Sequence, residues 1–354
     1  ADILLNPSAS HFAFGKQEIR RRLVREGSRS FGVTYVYANL LGNEAGRVIY
    51  DGGGLIANGG EIVAEGKRFS FENVQLVTAL VDIGRNQKIK KEDSENEGER
   101  SPAQCVHVPF EFPRCQSTTQ SALAAEWEQS TDIKEEEFTR AVSLGLFDYL
   151  RKSQSLGCVI SLSGGCDSAS VATLLAMAVN LGLAELGLDG FIEKLSHIDK
   201  LASESDAAGC TRKLLTCVYQ ATDNSSETTR HAAQQLSAAL HATFFEWNIN
   251  AQVEDYRKCV EQVVQRSLTW ASDDLTLQNI QARARAPGVW MLANLQGALL
   301  LSTSNRSEAA VGYATMDGDT SGGLAPIAGI DKAFLRRWLV WMENIGPRGF
   351  DPIP

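Results

Sequence analysis

The apolar and polar positions after residue 130 alternate between a strand pattern and a helix pattern. Apolar runs predict strands at 158–161, 214–219, 243–249 and 298–303. Apolar residues at helical spacing predict helices at 135–151, 169–183, 226–242 and 277–297. Strands and helices in alternation are typical of an α/β fold with a doubly wound parallel sheet. Such a sheet binds its ligands at the carboxyl ends of the strands.

The first part of the chain has a different pattern. It predicts a strand at 2–5, a basic amphipathic helix at 16–29, a strand at 33–40, and alternating strands and turns over 46–71. Asn58-Gly59 is the predicted hairpin turn of the last segment. The motif Gly52-x-Gly54-x-x-Ala57 approaches a dinucleotide fingerprint, but a hairpin follows where that motif needs a helix, so we reject it.

A strongly polar stretch at 84–104 separates the two patterns and is expected to be a mobile linker. We therefore place one domain at 1–85, a linker at 86–130 and a second domain at 131–354. Ala1 lies inside an apparent strand, and no closing element follows Phe350. We expect the chain to be part of a longer protein, with the second domain incomplete at its C-terminal end.

Composition narrows the class of protein. The chain has 354 residues, of which 44% are hydrophobic and 22% charged, which is ordinary for a soluble globular protein. A net charge of −9 argues against broad nucleic-acid binding. We expect no membrane-spanning run. Seven scattered cysteines without a Cys-x-x-Cys pair fit a reducing, cytoplasmic location, and zinc is not expected.

The segment Ser163-Gly-Gly-Cys-Asp-Ser168 has the pattern of a phosphate-binding loop between a strand and a helix. Gly164 and Gly165 lack a Cβ, so their N–H groups can close around an anion at the positive end of the helix. Ser161, Ser163 and Ser168 add hydroxyl groups. A carboxylate at Asp167 would repel a polyphosphate unless a cation lay between them, which suggests Mg²⁺. For such a short motif, a structural turn with a helix-capping Asp is about as common.

Three further residues carry charges of undecided role. We expect Arg283 and Arg285 in the first turns of the 277–297 helix, where the helix dipole disfavours cations. An anionic ligand would offset that cost, although surface arginines are also common. Glu308 follows a buried-looking strand and is either a second Mg²⁺ ligand or an exposed carboxylate at a helix start.

The phosphate loop resembles that of the ATP pyrophosphatases, which split ATP to AMP and pyrophosphate to adenylylate a substrate oxygen. It is not a Walker A loop, because Gly-x-x-x-x-Gly-Lys-Ser/Thr does not occur in the chain. The segments 1–10, 37–42 and 46–52 resemble the second half of a nitrilase-type glutamine amidase domain. The Cys, Glu and Lys of that family fall before Ala1, and Ser10 and Lys16 match its glutamine-binding positions.

A wider set of motifs resembles the glutamine-dependent NAD synthetases. These are the loop at 163–168, Gln278-Asn-Ile-Gln-Ala-Arg283, Thr303-Ser-Asn-Arg-Ser-Glu308, Gly312-Tyr-Ala-Thr315, Gly318-Asp319, and Gly323-Leu-Ala-Pro326 with Lys332. The resemblance implies a partial nitrilase-like α-β-β-α sandwich followed by a doubly wound ATP pyrophosphatase (adenine nucleotide α-hydrolase-like) domain. Two positions depart from some relatives: Met316 replaces a substrate-binding Lys, and Gly323 replaces an Asp.

The resemblance also implies the site residues. The ATP contacts would be Ser161, Leu162, Ser163, Gly164, Gly165, Cys166, Asp167, Ser168, Thr303 and Lys332. The deamido-NAD contacts would be Asn279, Arg283, Glu308, Tyr313, Ala314, Thr315, Met316, Asp317 and Gly318. Asp167 and Glu308 would hold Mg²⁺.

The implied reaction is the ATP-dependent amidation of deamido-NAD to NAD through an NAD-adenylate, with ammonia from glutamine in the full-length, homo-oligomeric enzyme. Without the amidase triad, we expect this chain to use ammonia but not glutamine. Two alternatives are a non-catalytic nucleotide-binding fragment and another amidating ATP pyrophosphatase.

Overall fold

A computed structural model describes residues 1–43, 48–84, 108–109 and 125–353. The described residues form two compact units, one ending at Gln129 and one beginning at Ser130. Most of the predicted linker at 86–130, with Cys105 and Cys115, lies outside the described residues. The other five cysteines are free thiols.

The first unit packs one helix on a mixed sheet. Its elements are β1 (Ile3–Ser8), α1 (Lys16–Phe31), β2 (Thr34–Asn39), β3 (Leu41–Asn43), β4 (Ile49–Asp51), β5 (Leu55–Asn58), β6 (Glu61–Glu65) and a short 3₁₀ helix (Glu126–Gln129). The sheet order is β1-β2-β5-β6, with β1 and β2 parallel and the other pairs antiparallel. Strands β3 and β4 form a separate antiparallel ribbon. The elements predicted at 2–5, 16–29 and 33–40 are confirmed.

The core of this unit comes from alternate strand residues, because successive side chains of a strand point to opposite faces. Tyr35 and Tyr37 of β2 and Leu55 and Ala57 of β5 pack together with Val24 of α1. The predicted hairpin forms between β5 and β6, but its turn lies one residue later than predicted. Asn58 pairs with Glu61, and the two turn residues, Gly59 and Gly60, have φ of 61° and 85°. Two adjacent positive φ values favour a Gly-Gly turn.

The second unit is an α/β layer structure. Its strands are β7 (Cys158–Ser161), β8 (Leu215–Ala221), β9 (Thr243–Asn248) and β10 (Leu299–Leu301). Its helices are α2 (Ile133–Ser153), α3 (Cys166–Lys194), α4 (Ala207–Leu214), α5 (Glu227–Ala239), α6 (Asn250–Val264), α7 (Asp274–Ala284), α8 (Ala286–Gln296), α9 (Arg306–Val311) and α10 (Lys332–Asn344), with a 3₁₀ turn at Asp199–Leu201. All strand pairs are parallel in the order β10-β7-β8-β9, which confirms the predicted parallel sheet.

Side chains cover both faces of this sheet. Val159 and Val218 pack with Val289 of α8 on one face. The neighbouring residues Cys158 and Ile160 point the other way and are also buried. Helix α3 contacts β7 and β8, and α2 and α10 contact α3. A strand buried on both faces explains why β7 is a continuous apolar run rather than an alternating one.

The predicted helix at 277–297 is two helices. Helix α7 ends at Ala284, α8 begins at Ala286, and Arg285 joins them. Pro287 lies in the first turn of α8, where its missing N–H costs nothing, but it cannot continue a preceding helix. The expectation that Arg283 and Arg285 lie in the first turns of one helix is therefore wrong, because Arg285 is the residue between the two helices. Arg283 is in the last turn of α7, where the helix dipole favours a cation.

Helix α3 bears on the expectation of no membrane-spanning run. By length and composition alone it could span a membrane, and 61% of its most apolar window is buried inside the unit. Such burial is typical of the core helix of a globular unit. A non-helical Gly187, with φ of 68°, interrupts it.

Candidate functional site

The loop between β7 and α3 is built on one glycine with a special conformation. Gly164 has φ of 77°, and a Cβ at this position would overlap the backbone carbonyl oxygen of Thr229. Gly165 has φ of −94°, a conformation open to any residue. Both glycines keep the loop free of side chains, but the backbone requires glycine only at Gly164.

The serine hydroxyls hold this loop in shape. Ser168 Oγ accepts a hydrogen bond from Ser163 N at 3.2 Å and lies 3.1 Å from the oxygen of Gly165. Ser163 Oγ accepts from Gly165 N at 3.2 Å. From the neighbouring strand β8, Gln220 Nε2 donates to Ser161 Oγ at 3.1 Å. The backbone of the loop is therefore fixed before any ligand binds.

Asp167, in the first turn of α3, lies within a cluster of polar side chains from three elements. Lys332, at the start of α10, donates from Nζ to Asp167 Oδ2 at 2.8 Å and to Glu308 Oε1 at 3.2 Å. Asn305 Nδ2 donates to the other oxygen of Asp167 at 3.0 Å. Asn305 also caps α9 through a capping box with Glu308, which fixes both side chains. The two carboxylates therefore face one point at the mouth of the loop.

Electrostatics at this cluster favour the charged lysine. The hydrogen bond to Asp167 raises the pKa of Lys332, although partial burial opposes that shift. Burial and the carboxylate of Asp167 raise the pKa of Cys166, so this thiol stays protonated at neutral pH. Lys332 therefore places a positive charge beside the loop.

The donor set of this cluster fits magnesium. Two carboxylates converge on one position, and Mg²⁺ commonly binds through one or two carboxylates together with substrate phosphates and water. Within the part of the chain that the structure describes, no group of three His, Cys, Asp or Glu residues could hold a metal. A metal here would therefore depend on oxygen ligands from the substrate.

A cavity of about 430 Å³ opens beside the loop. Five predicted site residues line it: Ser161, Leu162, Ser163, Thr303 and Gly318. Its other walls come from the end of β8, the start of α5, the α7–α8 junction and the segment after α9. They include Tyr219, Gln220, Thr222, Thr229, Arg285 and Asp319. The sequence left the role of Arg285 open between contact with an anionic ligand and an ordinary surface arginine, and it assigned no site role to the other five residues. The rule that ligands bind at the carboxyl ends of parallel strands is the signal that would have found the β8 residues.

The predicted dinucleotide contacts come together on α7. Thr315 Oγ1 donates to Asn279 Oδ1 at 3.0 Å, and Arg283 Nε donates to Met316 O at 3.0 Å. Gly318 packs closely against Ala282, and a Cβ at this position would lie 3.0 Å from the carbonyl carbon of Ala282. Tyr313 and the Met316 side chain are exposed, whereas Glu308 belongs to the Asp167 cluster. The segment 313–318 is thus held against α7 by side chains that the sequence predicted for the site.

A profile of the NAD synthase family matches residues 138–347, which include the loop, the cluster and the cavity. The chain belongs to the NAD synthase family. This confirms the resemblance found in the sequence.

Relatives and solved structures agree with this membership. The chain is 29% identical to glutamine-dependent NAD(+) synthetase of Homo sapiens over 96% of its own length and 51% of that protein. It is 30% identical to the Drosophila melanogaster protein of the same name, covering 97% of this chain and 46% of the relative. A crystal structure of the enzyme from Cytophaga hutchinsonii has a TM-score of 0.80 and 46% identity, covering 98% of this chain and 53% of that one. The chain spans about half the length of the curated relatives it matches.

In the first unit, Ser10 and Lys16 lie near the two ends of the segment that joins β1 to α1. Ser10 Oγ accepts from Arg20 Nη2 at 3.2 Å, and Lys16 Nζ donates to His11 O at 2.8 Å. Arg20 forms a buried ion pair with Asp51 at 2.6 Å. Arg20 therefore anchors the segment between β1 and α1, which carries the predicted glutamine-binding residues, to the core of its unit.

Proposed function

We propose that the second unit catalyses the ATP-dependent amidation of deamido-NAD to NAD, with Mg²⁺ as cofactor. The observation that carries this proposal is the pre-shaped phosphate loop with Asp167, Lys332 and Glu308 at its mouth. A glycine-rich loop at a helix N-terminus binds phosphate, and paired carboxylates beside it suit a polyphosphate with its metal. Family membership supports this assignment, because the relatives carry the name glutamine-dependent NAD(+) synthetase.

In the proposed reaction, the nicotinate carboxylate attacks the α-phosphorus of ATP and releases pyrophosphate. Ammonia then displaces AMP from the NAD-adenylate, giving NAD. Lys332 and the loop amides would stabilise negative charge on the departing pyrophosphate. Asp167 and Glu308 would hold Mg²⁺, which neutralises phosphate charge when bound. Thr303, Asn279 and Arg283 would orient the substrates, and positioning supplies much of the rate enhancement in phosphoryl and nucleotidyl transfer.

For the first unit we propose part of a nitrilase-type glutamine amidase sandwich, with Ser10 and Lys16 contacting glutamine. The packing of α1 on the mixed sheet supports this proposal. The names of the relatives, which include the word glutamine-dependent, support it as well. In the complete, cytoplasmic homo-oligomer, ammonia from glutamine would reach the synthetase site.

The test measures NAD, AMP and pyrophosphate from the full chain with ATP, Mg²⁺, deamido-NAD and either ammonium or glutamine. The proposal expects equal amounts of all three products with ammonium. Binding of ATP and deamido-NAD without any AMP would favour a nucleotide-binding fragment. AMP formation only with a different acid would favour another amidating ATP pyrophosphatase.

A further inference from the structure

The cavity beside the phosphate loop has little charge. Among the described residues that line it, Arg285 and Asp319 are the charged ones, and the rest are hydroxyl, amide or apolar groups. The carboxylate of Asp319 already has a hydrogen-bond partner in its own segment, because Oδ2 accepts from Thr315 N at 3.0 Å. The cation in the cavity is therefore the group that an incoming anion would meet.

Arg285 is poorly paired for a guanidinium in this setting. Its side chain makes one hydrogen bond within the described parts of the chain, from Nη1 to Gln281 O at 3.3 Å, and no ion pair there. Burial lowers the pKa of Arg285, and the nearby Asp319 carboxylate offsets this only in part. The group still stays charged at neutral pH. A partly buried cation with five N–H donors and one long hydrogen bond is stabilised by an anionic ligand.

Its neighbour Arg283 does not have this property. The Arg283 side chain is exposed and donates from Nε to Met316 O, so it holds the 313–318 segment against α7. Arg285 instead lies at the break between α7 and α8, and this break turns it toward the cavity that Ser161 and Ser163 also line. Two residues apart in sequence, the arginines have different tasks.

We propose that Arg285 is a substrate-binding residue that pairs with an oxyanion inside this cavity. The proposal rests on the proposed function, which supplies two sources of that oxyanion: the carboxylate of deamido-NAD and a phosphate of ATP. Planar guanidinium groups bind both chemistries bidentately. If the partner is the carboxylate, Arg285 also distinguishes the acid substrate from the amide product, because amidation removes the charge and favours release of NAD.

The experiment measures equilibrium binding of deamido-NAD, NAD and a non-hydrolysable ATP analogue to the full chain by calorimetry. The variants are Arg285→Gln and Arg285→Lys. Arg212→Gln is the matched control, since Arg212 is an exposed arginine of α4 that does not line the cavity. A thermal melt of each variant shows that it is folded, and Arg285→Lys keeps the charge if the glutamine variant does not fold.

We expect Arg285→Gln to raise one dissociation constant about 30-fold, as truncating one member of a desolvated charge pair does. Arg285→Lys should raise it less, and Arg212→Gln should leave it unchanged. A loss confined to deamido-NAD, with NAD binding unaffected, identifies the carboxylate, whereas a loss confined to the ATP analogue identifies the phosphate. If a folded Arg285 variant binds each of the three ligands as tightly as wild type does, the role of Arg285 is wrong, while the proposed function stands. If wild type binds none of them, the proposed function fails as well.

Discussion

The ammonium group of Lys332 lies 2.8 Å from the carboxylate of Asp167, although the two residues are 165 positions apart in the chain. Asp167 lies in the first turn of α3, directly after the loop, and Lys332 is the first residue of α10. The contact therefore joins the loop between β7 and α3 to a cation from a distant element.

Asp167→Asn should reduce ATP consumption by about a hundredfold or more, because it removes one carboxylate from the proposed Mg²⁺ site. AMP formation is measured over a Mg²⁺ titration. Deamido-NAD binding without ATP should hardly change. Asp189→Asn, an exposed position of the same helix, is the control. Normal turnover of Asp167→Asn at limiting Mg²⁺ would remove the metal role of Asp167.

Gly164→Ala should destabilise the chain by about 2 to 4 kcal/mol, because alanine resists the positive φ and its Cβ would overlap the Thr229 carbonyl. It should also weaken ATP binding. Gly165→Ala should cost under about 1 kcal/mol, since φ is ordinary and the nearest atom is Ser163 Oγ at 3.2 Å. Urea unfolding of the two variants is compared with wild type. Equal effects at both positions would contradict the backbone argument.

Lys332→Met should lower stability by at most about 1 kcal/mol at neutral pH, because the pair is partly exposed to solvent. The folded state raises the pKa of Lys332 above its ordinary value of 10.5. A lysine whose pKa is higher in the folded than in the unfolded state stabilises the fold in full at pH values below its unfolded-state pKa. This contribution is lost as the pH rises through the folded-state pKa. The difference in unfolding free energy between wild type and Lys332→Met should thus be constant from about pH 7 to 9 and shrink above about pH 10.5. A difference that grows with pH would contradict this assignment.

Trp338→Phe should cost more than Trp341→Phe, although both change a buried indole of α10. Trp338 is fully buried, packs edge-on against Phe138 and donates from Nε1 to Thr139 Oγ1 at 2.8 Å. The Nε1 of Trp341 has no hydrogen-bond partner among the described residues. We expect a difference of about 1 kcal/mol, and a loss of about 3 to 5 kcal/mol for Trp338→Ala. Thermal and urea unfolding measure both, and equal costs for the two Phe variants would show that the Thr139 hydrogen bond does not stabilise the fold.

Local patterns in the sequence determined most of the secondary structure. The apolar run before Gly164 and the small residues after it predicted β7, the loop and α3, and the alternation of periods predicted the parallel sheet. The helix prediction failed where a single residue, and not the apolar pattern, sets the helix boundary. Pro287 divides the 277–297 segment, and the apolar pattern continues across the break and so hides it.

By itself, the sequence determined the residues from which the proposed site is built: the glycine loop, the carboxylates and the family motifs are all visible as residue types at fixed spacing. Only the tertiary structure decided which of them meet. The convergence of Asp167, Glu308 and Lys332, the carbonyl of Thr229 that makes Gly164 obligatory, and the underpaired Arg285 in the cavity all depend on contacts between distant segments. Packing of the sheet and helices sets these contacts, and neither periodicity nor spacing along the chain encodes a distance across the fold.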